Sequence, residues 1–77
     1  MTLRHMKIFL AVCNCRCNTT QAAAALHMTQ PAVSLAIQEL ESYYGVRLFD
    51  RIGRRLKLTA AGEQFQAYAG HIAQLFA

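Results

Sequence analysis

Three groups of residues in this 77-residue chain have types and spacings that suit chemistry. The first is basic: Arg47, Arg51, Arg54, Arg55 and Lys57, five of the eight Lys and Arg residues, fall within eleven positions. A solvated charged loop would have the same composition. Gly53 at the centre and the alternation of Leu56, Lys57 and Leu58 after it favour the tip of a hairpin, a shape that can present positive charge to a polyanion. The second group is Gln30, Ser34 and Gln38, spaced by fours so that a helix stacks them on one face. The third is Cys13, Cys15 and Cys17, which alternate with Asn14 and Arg16. That spacing is not a Cys-x-x-Cys pair with a distant second pair, and no fourth ligand accompanies it, so no metal site is expected. One buried thiol and two partly exposed ones near a helix end is the plainer reading, and a soft-metal or redox sensor is the alternative.

Composition narrows the class. An apolar fraction of 55% with a formal charge of +4 is too hydrophobic for a disordered tail and is enough for one small core. No segment approaches the ~20 predominantly apolar residues of a membrane span, and the start, Met-Thr-Leu-Arg-His-Met-Lys, lacks the apolar core of a signal peptide. A cytoplasmic, soluble protein without cofactor is the expectation. Enzymes are disfavoured: no nucleophile–base pair, metal triad or phosphate loop is visible, and no catalytic residue is assigned. Glu39 and Glu41, the only close carboxylates, point apart on a helix.

The elements that must position these groups follow from periodicity and caps. A first helix is predicted from about Thr2 to Asn14, with Leu3, Met6, Phe9, Leu10 and Cys13 on its apolar face. Asn18 is the N-cap expected for the next helix, with Thr19 and Thr20 as substitutes, and Gln21 to Leu26 has the highest helix propensity in the chain. Thr29 caps a third helix with Pro31 in its first turn. There Val33, Ile37, Leu40 and Tyr44 form the apolar stripe, and Gly45 supplies the left-handed C-terminal cap. Two short strands are predicted over Val46 to Arg51 and Leu56 to Leu58. Thr59 then caps a last helix from Ala60 to about Phe76. The fold class expected is mainly α: a winged helix-turn-helix made of a three-helix core, a two-stranded wing and a C-terminal helix, with residues 1–59 as the head and 60–77 as a linker or dimerisation helix.

At this level the residues resemble a known family. Gln21-Ala22-Ala23, Leu26-His27-Met28-Thr29-Gln30-Pro31-Ala32-Val33-Ser34, Ile37 and Leu40-Glu41 are similar to the helix-turn-helix of LysR-type transcriptional regulators. Gly45-Val46-Arg47-Leu48-Phe49-Asp50-Arg51 and Leu58-Thr59-Ala60-Ala61-Gly62-Glu63 resemble that family's wing and the start of its linker helix. The resemblance implies a bacterial regulator's N-terminal DNA-binding domain. It also implies a larger effector-binding domain elsewhere that holds any small-molecule effector, a homodimer through the last helix, and tetramers of the full-length protein. The chain departs from the pattern at Thr19, where an aromatic is common, at Leu35, where Arg is frequent, and at Ala60, where Pro is frequent. The Cys-Asn-Cys-Arg-Cys segment is not part of it.

The roles then expected are specific. The segment from Thr29 to Tyr44 enters the major groove of double-stranded DNA, where Gln30 and Gln38 meet base edges, with adenine the best geometric match. Ser34 reaches a base or a phosphate. Pro31 and Leu35 meet thymine methyls, and Thr29 sits at a helix start suited to phosphate. Arg51, Arg54 and Arg55 are assigned to the wing, entering the minor groove. Phe65, Tyr68, Ala69, Ile72, Leu75 and Phe76 are assigned to dimerisation. A winged-helix domain of another regulator family, or a protein-interaction module of the same shape, is the alternative.

Overall fold

The computed structural model describes residues 3–53 and 55–75. Thr2, at the predicted start of the first helix, and Arg54 and Phe76, both assigned roles above, lie outside them. The order is α1 (Leu3–Asn14), α2 (Thr19–Leu26), α3 (Gln30–Tyr44), β1 (Phe49–Ile52), β2 (Arg55–Leu58) and α4 (Ala60–Leu75), the layout of a winged helix-turn-helix.

Local caps set most of these boundaries. The Asn18 side chain accepts from the Gln21 amide, and that of Thr29 from Ala32, each satisfying one of the amides a helix start leaves open. Gly45 ends α3 in the left-handed region at φ 68°, which glycine adopts without a Cβ penalty. His27 ends α2 with the same geometry at φ 56°. The Thr59 hydroxyl works in both directions: it accepts from Gly62 N at 2.9 Å and donates to the Arg47 carbonyl at 2.5 Å.

The core gathers around α1, which packs on α2 and α3 on one side and on α4 on the other. Its buried residues are Met6, Ile8, Phe9 and Val12. The single stripe expected from periodicity is thus too narrow: a helix covered on two sides also buries Ile8 and Val12, while Leu3, Leu10 and Cys13 are only partly covered. Phe9, fully buried, sits 5.3 Å from the Phe49 ring and 5.0 Å from that of Phe65, the latter edge-on, a geometry the aromatic quadrupole favours. Val33, Ala36, Ile37 and Leu40 bring α3 into this core. Tyr44, at the end of that stripe, is 42% exposed, with its ring tilted against that of Phe65 at 5.2 Å.

The wing differs from expectation at its start. The first strand begins at Phe49, not Val46, and ends at Ile52; the second starts one residue early, at Arg55. The two are antiparallel, with Phe49 opposite Leu58 and Arg51 opposite Leu56. The shift has a hydrogen-bonding cause. The amides of Leu48 and Phe49 are taken by the Glu41 carboxylate at 2.8 and 3.3 Å, and the carbonyls of Arg47 and Leu48 by Thr59. With their polar groups satisfied by α3 and by the start of α4, these residues have no need of a partner strand.

The three cysteines are all half-buried against the core, so the partly exposed thiols are found but the one fully buried thiol expected beside them is not. Burial pushes the Cys13 thiol up to about 12, with Cys17 nearby adding to the shift. Burial raises Cys17 as well, while a hydrogen bond with the Leu58 backbone opposes it. The Cys13 thiol is therefore protonated at neutral pH, the poorly nucleophilic form. Among the described residues, no cluster of three or more His, Cys, Asp or Glu could hold a metal ion.

Candidate nucleic-acid interface

One side of the molecule carries the exposed face of α3, the first turn of α2 and the inner edge of the wing. Gln30, Pro31, Leu35 and Gln38 are exposed there and Ser34 is half-buried. Leu35 is 56% accessible, an apolar side chain left in water that can meet a methyl group. The helix offers no basic residue on this face, and its charged residues, Glu39 and Glu41, are acidic and border it, so its attractive contacts to DNA are those of amides, a hydroxyl and hydrocarbon.

The start of α3 is tied to that of α2. The Gln30 amide nitrogen donates to Thr19 Oγ1 at 3.1 Å and to Ser34 Oγ at 2.7 Å. Gln30 is therefore held in place before any ligand arrives, which lowers the side-chain entropy lost on binding. The Thr29 hydroxyl accepts the Ala32 amide at 3.3 Å and keeps its own proton for an outside acceptor.

Two clefts flank this face and share Thr19, Arg51 and Leu56. The smaller, about 230 Å³, lies between α3 and the wing, where Ser34, Gln38 and Glu41 meet Arg47 and Arg51. The larger, about 640 Å³, lies between the start of α2 and the wing and is lined by Arg16, Asn18, Thr19, Gln30, Arg51 and Arg55 among others. No carboxylate lines it. Arg51 and Arg55, which the sequence pattern puts at a hairpin tip, both border this cleft beside α2. Arg47 lies 3.8 Å from Asp50, and both are largely exposed, so this pair contributes little.

Three positions matter to this arrangement in ways that periodicity and caps do not show. Thr19, a substitute cap by residue type, is instead the hydrogen-bond partner of Gln30. Arg16, to which the sequence pattern gives no role, borders the large cleft. Glu41 falls on the polar face of α3 by its period, yet it is half-buried and holds the entry to β1. The one available signal is its position four residues before the Gly45 cap, close enough to the turn for its carboxylate to meet the amides beyond it.

Glu41→Ala leaves those two amides without their acceptor and is expected to cost about 1–3 kcal/mol. That loss lowers Tm by roughly 4–8 °C per kcal/mol in a domain of this size. Glu41→Gln, which keeps an acceptor oxygen, recovers part of it in thermal denaturation followed by circular dichroism. An alanine variant melting with the wild type would show that solvent serves the amides equally well.

The stripe on α4 is divided by the fold. Ala69 is fully buried, Phe65 lies against Phe9, and Ile72 packs on the core. Tyr68 and Leu75, each 71% exposed, face outward. The helix thus completes its own domain with Phe65, Ala69 and Ile72 and leaves Tyr68 and Leu75 uncovered.

A recognition helix held against a scaffold helix, with a basic two-stranded wing beside it, defines the winged helix-turn-helix class of DNA-binding domain. Comparison places the chain within that class. The profile of the family described as "Bacterial regulatory helix-turn-helix protein, lysR family" matches residues 3–63, and the chain belongs to that family as its helix-turn-helix DNA-binding domain. It is 40% identical over 72 residues to the HTH-type transcriptional regulator CfxR of Cupriavidus necator, covering 94% of this chain and 22% of that protein. Among solved structures it is similar to the DNA-binding domain of CbnR in complex with DNA, with a TM-score of 0.91 and 40% identity over 97% of this chain and 85% of that one. It is likewise similar to the BenM DNA-binding domain on benA site 1 DNA, with a TM-score of 0.91 and 37% identity over 99% and 84% of the two chains. The chain spans less than a quarter of the length of most of the curated relatives it matches, CfxR among them.

Proposed function

We propose that this domain binds double-stranded DNA sequence-specifically, with α3 in the major groove and the wing arginines on the backbone or in the adjoining minor groove. The observation that carries this reading is the junction of two surfaces. A face of amides, a hydroxyl and hydrocarbon without a basic residue suits base edges, and the two clefts beside it hold arginines from the wing. Base contacts of that kind supply specificity, while cations on phosphates supply most of the salt-dependent affinity. The DNA complexes solved for the CbnR and BenM domains support the same reading.

In this reading Thr29, Gln30, Pro31, Ser34, Leu35 and Gln38 meet the major groove, and Arg51, Arg54 and Arg55 meet backbone or minor groove. The whole protein is a transcriptional regulator rather than an enzyme, acting in the bacterial cytoplasm, with its effector bound by a separate domain. Tyr68 and Leu75 extend α4 toward a second copy, so that two recognition helices meet half-sites roughly 34 Å apart or a multiple of it. No helix among the described residues is long and apolar enough to cross a membrane.

Selection from a random duplex pool, followed by titration of the selected and an unrelated duplex across a salt series, tests the proposal. Affinity is expected to fall steeply and log-linearly with salt; no binding to any duplex at low salt overturns the reading. Gln30→Ala is expected to weaken the selected duplex by about 1–3 kcal/mol, roughly ten- to a hundredfold, and to leave the unrelated duplex nearly unchanged. Equal losses on both duplexes would make Gln30 a structural residue.

A further inference from the structure

The large cleft contains a cation that the reading above leaves without a role. Arg16 lies in the short turn between α1 and α2, where the backbone takes an unusual course. Arg16 and Cys17 both adopt the left-handed region, at φ 57° and 60°, and neither is a glycine. Such a conformation is unfavourable for a side chain with a Cβ and persists only where the surroundings hold it. Here they do. Cys17 N donates to the Val12 carbonyl at 2.8 Å, Asn18 N to Cys15 at 3.1 Å, and Arg16 N to Cys13 at 3.2 Å. The Cys17 side chain is half-buried against the core, beside the Leu58 backbone of the wing. The turn is thus clamped to the base of the hairpin, and the exposed Arg16 is delivered to the same cleft as Arg51 and Arg55.

The local sequence rules would place glycine at position 16, exposed and left-handed. An arginine there brings strain to the turn and a third positive charge to a cleft that already holds two. Among the described residues, no carboxylate forms an ion pair with any of the three. The first turn of α2 adds to the same field. Its Gln21 amide is taken by Asn18, but Thr19 and Thr20 keep the open amides of a helix start.

We propose that Arg16 is a contact to the DNA backbone, holding with Arg51 and Arg55 the phosphates that pass over the start of α2. The proposal rests on the DNA-binding reading and adds a residue outside both the recognition helix and the wing. A phosphate contact is blind to base identity, so Arg16 acts on affinity and register and leaves sequence preference untouched.

The test exploits the opposite signs that strain and charge give at this position. Arg16→Gly relieves the left-handed strain and removes the charge; Arg16→Lys keeps both. Both variants of the full chain are titrated by fluorescence anisotropy across a salt series, against a duplex selected from a random pool and an unrelated duplex of equal length, and both are melted. Arg16→Gly is expected to melt no lower than the wild type. It should bind both duplexes roughly tenfold more weakly, with the slope of log affinity against log salt reduced by about one. Arg16→Lys should keep the wild-type slope. A glycine variant that binds both duplexes with wild-type affinity and slope overturns the proposal. So does a lysine variant that loses as much as the glycine one, because the turn rather than the charge would then be responsible. Failure of the wild type to bind any duplex would instead remove the DNA-binding reading itself.

Discussion

Gly62→Ala is expected to destabilise the domain by about 2 kcal/mol, lowering Tm by roughly 10 °C, although alanine is the better helix former. Gly62 lies in the first turn of α4, directly beneath the turn that leads into the wing. A Cβ at this position would run into the Leu48 carbonyl oxygen and lie 2.8 Å from Leu58 Cδ2. The first obstacle is backbone, and it cannot rotate away. Room could come only from lifting the start of α4, at the expense of the 3.1 Å bond from Thr59 N to the same Leu48 carbonyl. Gly70, in the same helix, has nothing within 4 Å of where its Cβ would be. Gly70→Ala should therefore gain up to about 1 kcal/mol from propensity alone. Differential scanning calorimetry of the two variants reads out opposite signs. A Gly62→Ala protein that melts at or above the wild type would show that the close approach is not required.

Simultaneous replacement of Arg51 and Arg55 by alanine is expected to weaken binding to any duplex by on the order of a hundredfold, from two charge-assisted hydrogen bonds. The salt slope should fall by about two, one for each phosphate left without its arginine. Both side chains are exposed and border the cleft beside α2, so the fold should survive their truncation with little change in Tm. The effect on selected and unrelated duplexes should be nearly equal, in contrast to Gln30→Ala. Anisotropy titrations between low and physiological salt provide the slopes. A double variant with a wild-type slope would place the electrostatic attraction elsewhere. A loss confined to the selected duplex would instead assign the two arginines to base reading in the minor groove.

These two expectations concern the same junction from different sides. Gly62 and Thr59 seat the start of α4 against the turn entering the wing, while Glu41 seats that turn against α3. Because α4 then packs on α1, with Phe65 against Phe9, the reading helix, the wing and the outward-facing residues of α4 are joined through one small core. In a domain of this size, total stability is about 5–10 kcal/mol, so a loss of about 2 kcal/mol at the junction is a sizeable fraction.

The helix-turn-helix and its wing are legible in the residues because the signals that define them are local. Asn18 reaches Gln21, Thr29 reaches Ala32, Thr59 reaches Gly62, and Gly45 closes α3 on Glu41. Each spans three or four residues, and each depends on residue type alone. The reading face of α3 follows from the same helical period, with Gln30, Ser34, Leu35 and Gln38 opposite Val33, Ile37 and Leu40. Tertiary structure decided matters that depend on contacts between distant segments. Thr19 meets Gln30, Glu41 shortens the first strand by holding Leu48 and Phe49, and the Cys17 turn brings Arg16 to the cleft of Arg51 and Arg55. It also divided the apolar stripe of α4, burying Ala69 and leaving Tyr68 and Leu75 in water. The physical reason is the same in each case. A cap or a period is specified by neighbours along the chain. The direction of a side chain and the cover over an apolar face are set by whichever distant element packs there.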